Sequence, residues 1–297
     1  MRKPLLRSSL LVACISVLSC SSGSVPAGET VEARSEPIIG GVKDTGTTND
    51  AVVLLVGQVT VNGKQAEYIC TGSLIAPNLV LTARHCVSQV NGESVTCTSS
   101  DVGADYTASN IYVLKGASPI PTDTTKDPVV VSQGKQIFSP GGGTLCGKDI
   151  ALLVLKYPVT GVAPLPVRVT GTTKVGEKFT SVGYGKTNPD DSVDDDTGVR
   201  YYKNNVQVTG FEYSNDFQGT KSICQGDSGG PALSASRAVF GVTSRGTDCA
   251  GNSNVWTRTD KFKSLIDQAA KAAKAKYTGE DGTVYDYTGG TAGAGGS

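Results

Sequence analysis

Short runs of apolar and β-branched residues recur along most of the chain, and turn-forming Gly, Pro, Asn, Asp and Ser residues separate them. Runs of this length predict β-strands, and their regular spacing with almost no helical pattern indicates an all-β sandwich or barrel. The runs are Val52–Val61, Tyr68–Ile75, Asn78–Leu81, Val129–Phe138, Ile150–Leu155, Phe179–Gly183, Tyr201–Phe211, Ala238–Thr243 and Val255–Thr257.

One segment near the C-terminus has helical spacing instead. Apolar residues recur three and four positions apart between Phe262 and Ala273, with Asp260 before them and Lys274 after them. This spacing predicts one amphipathic helix whose charges suit the helix dipole. Residues 278–297 are rich in glycine and predict a flexible tail without packed structure.

The N-terminus has the pattern of an export signal. A basic start precedes an apolar run from Ser8 to Ser19, which is too short to span a bilayer. The run ends in Val17-Leu18-Ser19-Cys20, which resembles a bacterial lipobox with Cys20 as the lipidated residue. Ordinary signal cleavage nearby is the alternative.

We therefore expect a signal peptide over residues 1–19 and a propeptide or tether over residues 20–37. The protein is expected to leave a bacterial cell, either as an envelope lipoprotein or in a released extracellular form. A lipid anchor would be its one link to a membrane.

The net charge and the distribution of acidic residues narrow the classes of molecule that the protein is expected to bind. The formal net charge is zero, with 27 basic and 27 acidic residues, so no basic face predicts binding to nucleic acid. Five aspartates cluster in residues 188–198; a solvated loop and a calcium site both remain open there, and solvated loops are the commoner case.

Cysteine usage fits an exported protein. Two of the eight cysteines, Cys14 and Cys20, belong to the export signal and its cleavage site, and an even number remains, which predicts three disulfides with the pairing left open by count. A zinc site is disfavoured, because the chain has no Cys-x-x-Cys and a single histidine. The remaining cysteines are Cys70, Cys86, Cys97, Cys146, Cys224 and Cys249.

The chemistry-bearing residues begin with Cys224-Gln225-Gly226-Asp227-Ser228-Gly229-Gly230-Pro231. A serine hydroxyl needs a neighbouring base, and the oxyanion formed after its attack needs hydrogen-bond donors. Glycines around Ser228 allow the N–H groups of Gly226 and Ser228 to converge on one point. Ser228 is therefore a candidate nucleophile with its own oxyanion hole.

The single histidine of the chain and the position of one aspartate indicate the base and its carboxylate partner. A base that is nearly neutral at working pH selects histidine, and His85 is the only histidine in the chain. Asp149 opens the apolar run that follows it, where a carboxylate is costly unless it has partners. Asp149 is therefore the candidate that orients His85.

Together these motifs resemble the trypsin–chymotrypsin family of serine proteases. The resemblance covers about Ile38 to Lys276, and we place the catalytic domain at residues 38–277. Its motifs are Thr82–Cys86, Asp149–Leu153, Gly183-Tyr184-Gly185, Cys224–Pro231 and Ser244-Arg245-Gly246.

The resemblance implies two six-stranded antiparallel β-barrels, a C-terminal helix and a cleft between the barrels. It also implies a serine endopeptidase that works through an acyl-enzyme, with no cofactor and no metal. We expect a monomer whose partners are protein or peptide substrates and an unidentified activating protease. A catalytically silent binding protein and an esterase are the alternatives.

The resemblance further implies two disulfides, Cys70–Cys86 and Cys224–Cys249. Cys97 and Cys146 then pair by elimination only.

Activation by cleavage is also implied. Ile38 matches the new N-terminus that such cleavage exposes, and Asp227 matches the carboxylate that receives its ammonium. Pro37 precedes Ile38, where a trypsin-like activator requires Arg or Lys, so the sequence does not identify the activating protease.

The resemblance places Ser222, Ile223, Ser244, Gly246 and Asn254 in the pocket for the P1 side chain. Trypsin has an aspartate at the position of Ser222, so the anchor for a basic residue is missing. Asn254 stands where a glycine is usual and narrows the pocket. We therefore expect an uncharged P1 residue of moderate size, as in chymotrypsin or elastase.

Overall fold

A computed structural model describes residues 37–61, 63–91, 97–98, 101–121, 127–187, 196–246, 249 and 254–289. The signal peptide, Cys20, residues 20–36 of the tether, residues 188–195 of the acidic segment and the last eight residues of the chain lie outside this part. No helix in the described part is long and apolar enough to cross a membrane.

Short strands form most of the fold. The first nine are β1 (Val42–Lys43), β2 (Val52–Val61), β3 (Lys64–Ala76), β4 (Leu79–Thr82), β5 (Ser88–Val90), β6 (Val102–Asp105), β7 (Ile111–Leu114), β8 (Val130–Phe138) and β9 (Ala151–Leu155). The others are β10 (Lys178–Gly183), β11 (Tyr201–Gly210), β12 (Asp216–Gly219), β13 (Pro231–Leu233), β14 (Val239–Gly246), β15 (Asn254–Arg258), β16 (Lys276–Thr278) and β17 (Val284–Asp286).

Six strands close the first barrel, in the order β2-β3-β4-β9-β8-β7. The run that predicted β9 is apolar at every position, and all five residues of β9 are buried. Neighbouring strands are antiparallel; Thr82, for example, lies opposite Ala151. The strands β5 and β6 pair only with each other and lie between β4 and β7 in the sequence.

The second barrel runs β11-β10-β13-β14-β15-β12, and a further β12–β11 pairing closes it, with β1 added at β11. Aromatic side chains fill part of its interior: Phe217 stacks on Phe240 and Trp256, at ring-centroid distances of 5.2 and 5.6 Å. The prediction of two six-stranded barrels is confirmed.

The predicted C-terminal helix is also confirmed, as α2 (Lys263–Ala273); a single turn, α1 (Pro37–Gly40), precedes β1. Helix α2 buries Ile266, Ala269 and Ala270 against the first barrel, although it follows the second barrel in sequence. The side-chain amide of Asn78 donates to the carbonyl of Ala273 at the end of the helix (2.8 Å).

The expectation of an unpacked tail from residue 278 is corrected for residues 278–289. The strands β16 and β17 form a hairpin in which Tyr277 stacks on Tyr285, with ring centroids 4.7 Å apart. Glu280 also accepts from Arg168 (3.0 Å). The glycine-rich composition concealed this alternation of tyrosines, which gives the segment an apolar face to bury.

Three disulfides join Cys70 to Cys86, Cys97 to Cys146, and Cys224 to Cys249. This is the pairing expected above. The second disulfide ties the segment between β5 and β6 to the loop before β9.

Arg200 is a fully buried cation at the start of the second barrel. Its Nε lies 2.7 Å from Oδ2 of Asp44, and its Nη2 lies 3.0 Å from Oδ1 of Asp50. Asp50 immediately precedes the first barrel, so this cluster joins the segment after α1 to both barrels. Removing one member of such a cluster leaves a buried charge uncompensated, which is expensive.

We expect Arg200→Met to lower the free energy of unfolding by about 3–5 kcal/mol, because Asp44 stays buried without its cation. The matched control is Lys43→Met, because Lys43 forms an exposed pair with Asp196 at 3.2 Å; its cost should stay below about 1 kcal/mol. Urea unfolding with intact disulfides measures both variants. Equal costs would show that the buried cluster adds nothing to stability.

Candidate active site

The residues of the proposed triad lie at strand ends from both barrels. His85 follows β4, and Asp149 precedes β9. Because Thr82 and Ala151 are cross-strand partners, the two side chains come together at one edge of the first barrel. Ser228 lies in the loop between β12 and β13 of the second barrel.

Asp149 holds His85 at two points. Its Oδ1 accepts from the backbone N–H of His85 (3.0 Å), and its Oδ2 lies 2.8 Å from Nδ1 of the imidazole. The hydroxyl of Ser244, from β14, donates to the same Oδ2 (2.7 Å). A carboxylate only accepts, so Nδ1 carries the proton and Nε2 is the basic nitrogen.

Burial disfavours the charged form of both partners, but their mutual attraction is stronger. The pKa of His85 lies above its ordinary value, because the charge and hydrogen bond of Asp149 outweigh desolvation of the imidazole. The pKa of Asp149 lies below its ordinary value, because His85 and the Ser244 hydroxyl outweigh desolvation of the carboxyl. The site therefore favours a carboxylate beside an imidazolium, the state that forms when His85 takes up a proton.

The loop around Ser228 leaves two backbone donors unbonded. The N–H groups of Asp227, Gly229 and Gly230 all donate to nearby carbonyl oxygens. Within the described part of the chain, the N–H groups of Gly226 and Ser228 have no acceptor. Gly226 has a φ of +97°, a conformation that L-residues rarely adopt. These two donors are thus available to an oxyanion.

Asp227 anchors this loop from within the second barrel. Its Oδ2 accepts from the N–H of Cys224 and its Oδ1 from the N–H of Gly185, each at 2.9 Å. A Cβ at Gly183 would lie 2.1 Å from Oδ1 of Asp227, and a Cβ at Gly185 would lie 2.7 Å from its Cγ. The Gly-Tyr-Gly motif is explained by this close approach.

Thr71 of β3 supports the same loop from the first barrel, a role that sequence reasoning missed. Its backbone N–H donates to the carbonyl of Ser228 (2.7 Å). Its hydroxyl donates to the carbonyl of Gly226 (2.8 Å) and accepts from the N–H of Tyr184 (3.1 Å). Nothing in the strand pattern distinguishes a threonine that contacts the facing barrel.

The structure brings His85 and Asp149 into contact, but no hydrogen bond joins these two described residues to the Ser228 hydroxyl. Catalytic hydrogen bonds without bound substrate are often long and tighten in the substrate complex. The side chain of His85 is 21% exposed, so its ring is accessible from the cleft.

A cavity of about 110 Å³ adjoins Ser228. Among the described residues its walls include three of the five expected pocket residues, Ile223, Ser244 and Gly246. The other two, Ser222 and Asn254, are fully buried and absent from this lining. Asn254 instead accepts from the N–H groups of Ser222 (2.6 Å) and Ile223 (3.1 Å), so it braces the chain behind the cavity.

Ile38 is 1% exposed, and the turn α1 that contains it packs against β10 and β11. Asp227 is equally buried. Both residues expected to act in activation are therefore internal.

One group of potential metal ligands occurs among the described residues. Atoms of Cys70, His85 and Cys86 lie within 4.8 Å of one another. The two sulfur atoms are bonded to each other in a disulfide, so they offer no thiolate.

Comparisons with known proteins agree with this geometry. Tonin from Rattus norvegicus is 27% identical over 230 residues, which cover 69% of this chain and 82% of tonin. A trypsin from Saccharopolyspora erythraea is 27% identical over 242 residues, covering 71% and 89% of the two chains. The solved structure described as "Structure of GrC" superposes with a TM-score of 0.59 at 22% identity, over 78% of this chain and 99% of that one. This likeness shows the fold.

A family model decides the classification. The model described as Trypsin matches residues 49–266, which is more than half of the chain and includes His85, Asp149 and Ser228. The chain therefore belongs to the trypsin family of serine endopeptidases.

Proposed function

We propose that this chain is an exported endopeptidase that cleaves proteins or peptides after an uncharged residue, with Ser228 as nucleophile, His85 as general base and Asp149 as its orienting carboxylate. The observation that carries the proposal is the pair of hydrogen bonds that Asp149 accepts from His85, one from the backbone N–H and one from Nδ1–H. It directs the free Nε2 of the only histidine away from Asp149 and leaves it to accept a proton.

The reaction is then acylation of Ser228 followed by hydrolysis of the acyl-enzyme. Nε2 of His85 removes the proton of Ser228 as its Oγ attacks the scissile carbonyl, and the imidazolium returns that proton to the leaving amine. The N–H groups of Gly226 and Ser228 stabilise the oxyanion. Water then attacks the acyl-enzyme with His85 again as the base, which releases the new carboxylate.

An uncharged P1 residue is supported by the lining of the cavity. No carboxylate lines it among the described residues, and Arg245 is the charged side chain in its wall. A lysine or arginine at P1 would lose its hydration there without gaining a counter-charge. The small volume favours side chains of moderate size.

Activation by cleavage before Ile38 is supported by two buried groups. A carboxylate as deeply buried as Asp227 favours a nearby cation. The ammonium released by cutting between Pro37 and Ile38 would add a positive charge near the loop that carries the oxyanion donors.

Export, with lipidation of Cys20, completes the proposal. A lipidated Cys20 would leave residues 20–37 as an 18-residue tether, and the cut that frees Ile38 would also release the catalytic domain. We therefore propose an anchored proenzyme and a released active enzyme.

Ser228→Ala and His85→Ala should each lower kcat by about 10⁴–10⁶, and the double variant should be little worse, because the triad acts as a unit. Ser264→Ala, on the exposed face of α2, is the control and should keep full activity. Labelling of Ser228 by a fluorophosphonate indicates an assembled active site and distinguishes the enzyme from a catalytically silent binding protein. Comparing the turnover of peptides with that of simple esters distinguishes a peptidase from an esterase. A His85→Ala variant with a tenth of the activity would contradict the triad.

A peptide-library profile should favour Leu, Phe or Tyr at P1 over Arg and Lys. Ser222→Asp should shift the preference toward basic residues, because it adds a charge behind the cavity. Ser264→Asp, on the exposed face of α2, should leave the profile unchanged. A wild-type profile dominated by Arg and Lys would refute the proposed specificity.

N-terminal sequencing of the active protein should give Ile38 as the first residue, and the form that retains residues 20–37 should be inactive. Ile38→Gly should weaken activity after cleavage, because the inserted terminus loses its apolar packing. A fully active protein that begins at Cys20 or Ser35 is the result that rules out this switch.

A further inference from the structure

The hydroxyl of Ser244 lies between the catalytic carboxylate and a cation. Its Oγ donates to Oδ2 of Asp149 (2.7 Å) and accepts from Nη1 of Arg245 (3.3 Å). A hydroxyl has one proton. A carboxylate only accepts and a guanidinium only donates, so that proton goes to Asp149 while a lone pair of the same oxygen accepts from Arg245.

Arg245 is itself held in place. Its Nη2 lies 2.9 Å from Oδ2 of Asp216 and 3.2 Å from Oε1 of Glu212, and its guanidinium lies 5.8 Å from the ring centre of Tyr213. Its side chain is only 13% exposed, although it forms part of the cavity wall beside Ser228. The planar guanidinium can therefore contact Ser244 and Asp216 at the same time.

Asp216 links Arg245 to the backbone that precedes Asp149. It is fully buried, and its Oδ2 accepts from the N–H of Gly147 (2.8 Å), two residues before Asp149. The neighbouring Asn215 donates to the carbonyl of Gly147 (3.1 Å), so both polar groups of that residue are bound. The hydroxyl of Thr257 donates to the other oxygen of Asp216 (3.1 Å).

These contacts surround the catalytic carboxylate from two directions. Asp216 fixes the backbone that leads into Asp149, and Arg245 fixes the hydroxyl that donates to it. Burial raises the pKa of Asp216, while the charge of Arg245 and the hydrogen bonds oppose that shift. Burial lowers the pKa of Arg245, but the charges and hydrogen bonds of Asp216 and Glu212 outweigh that effect and raise it.

We propose that Arg245 and Asp216 form a positioning pair that holds Asp149 in the geometry required for catalysis. The inference rests on the proposed triad and adds two residues that do not touch the reacting atoms. Errors of about 1 Å in such geometry cost rate by factors of about 10².

The test measures how fast Ser228 reacts with diisopropyl fluorophosphate in the activated enzyme. This reagent needs the triad but occupies no extended peptide subsites, so its rate reports the reactivity of the site and not the binding of substrate. Arg245→Met should lower the second-order rate constant by about 10- to 100-fold. Arg245→Lys keeps the charge but loses the planar fork, and should give an intermediate rate.

The matched control is Arg168→Met. Arg168 is similarly buried, with 10% of its side chain exposed; its Nη2 lies 2.7 Å from Oε1 of Glu177, and its guanidinium lies 4.5 Å from the ring centre of Phe240. In the described structure Arg168 makes no contact with Asp149, Ser244 or Asp216, so the rate constant of Arg168→Met should equal that of the wild type. Melting temperatures are recorded for every variant, and rates are compared well below all of them.

Asp216→Asn completes a double-mutant cycle. With Arg245→Met it should react no more slowly than the slower single variant, because the two side chains act together. If Asp216→Asn does not fold, the Arg245 and Arg168 variants decide the question alone.

Any of these outcomes would overturn the inference: labelling of Arg245→Met within twofold of the wild type, an equal loss in Arg168→Met, or fully additive losses in the cycle. A change confined to KM for peptides would make Arg245 a substrate contact only. A wild-type enzyme that is not labelled at Ser228 would instead refute the proposed triad.

Discussion

The buried charge of Asp149 is the constraint that relates the two barrels to each other. An ionised carboxylate in a protein interior is unfavourable unless donors surround it, and neither barrel supplies enough of them. His85 comes from the first barrel and Ser244 from the second, so the charge is satisfied only when both barrels are packed in one orientation. Arg200 and Asp227 repeat the pattern, because each is a buried charge whose partners come from separate stretches of the chain.

Much of the fold was predictable because long apolar runs have few alternatives. The five consecutive apolar residues of β9 must be buried, and the spacing of Ile266, Ala269 and Ala270 allows one buried helix face. The strand β12 could not be predicted, since Asp216–Gly219 is short, has a single large apolar residue and becomes a strand through pairing with β15 and β11. The C-terminal hairpin was hidden for a similar reason, because its tyrosines stand among glycines.

Some residues of the site were likewise predictable from the sequence, and others were not. A single histidine and the serine motif identified the chemistry, because few other residues can perform it. Thr71 and Asp216 gave no signal, since their importance lies in contacts with segments distant in sequence, Gly226 for one and Gly147 for the other. Ser222 and Asn254 were expected to line the pocket, but both are fully buried and absent from the lining of the cavity. Asn254 instead accepts from the backbone N–H groups of Ser222 and Ile223, a contact that the sequence pattern did not indicate.

The path of the C-terminal segment matters for a protease that can cleave other copies of itself. Helix α2 follows the second barrel in sequence but packs on the first, and none of the three disulfides in the described part of the chain links residues before the β9–β10 connection to residues after it. A self-inflicted nick in that connection would yield two fragments with no covalent link. The second fragment would still carry helix α2, which packs on the first barrel. The two fragments should therefore remain associated, and autolysis at this connection should not reduce activity.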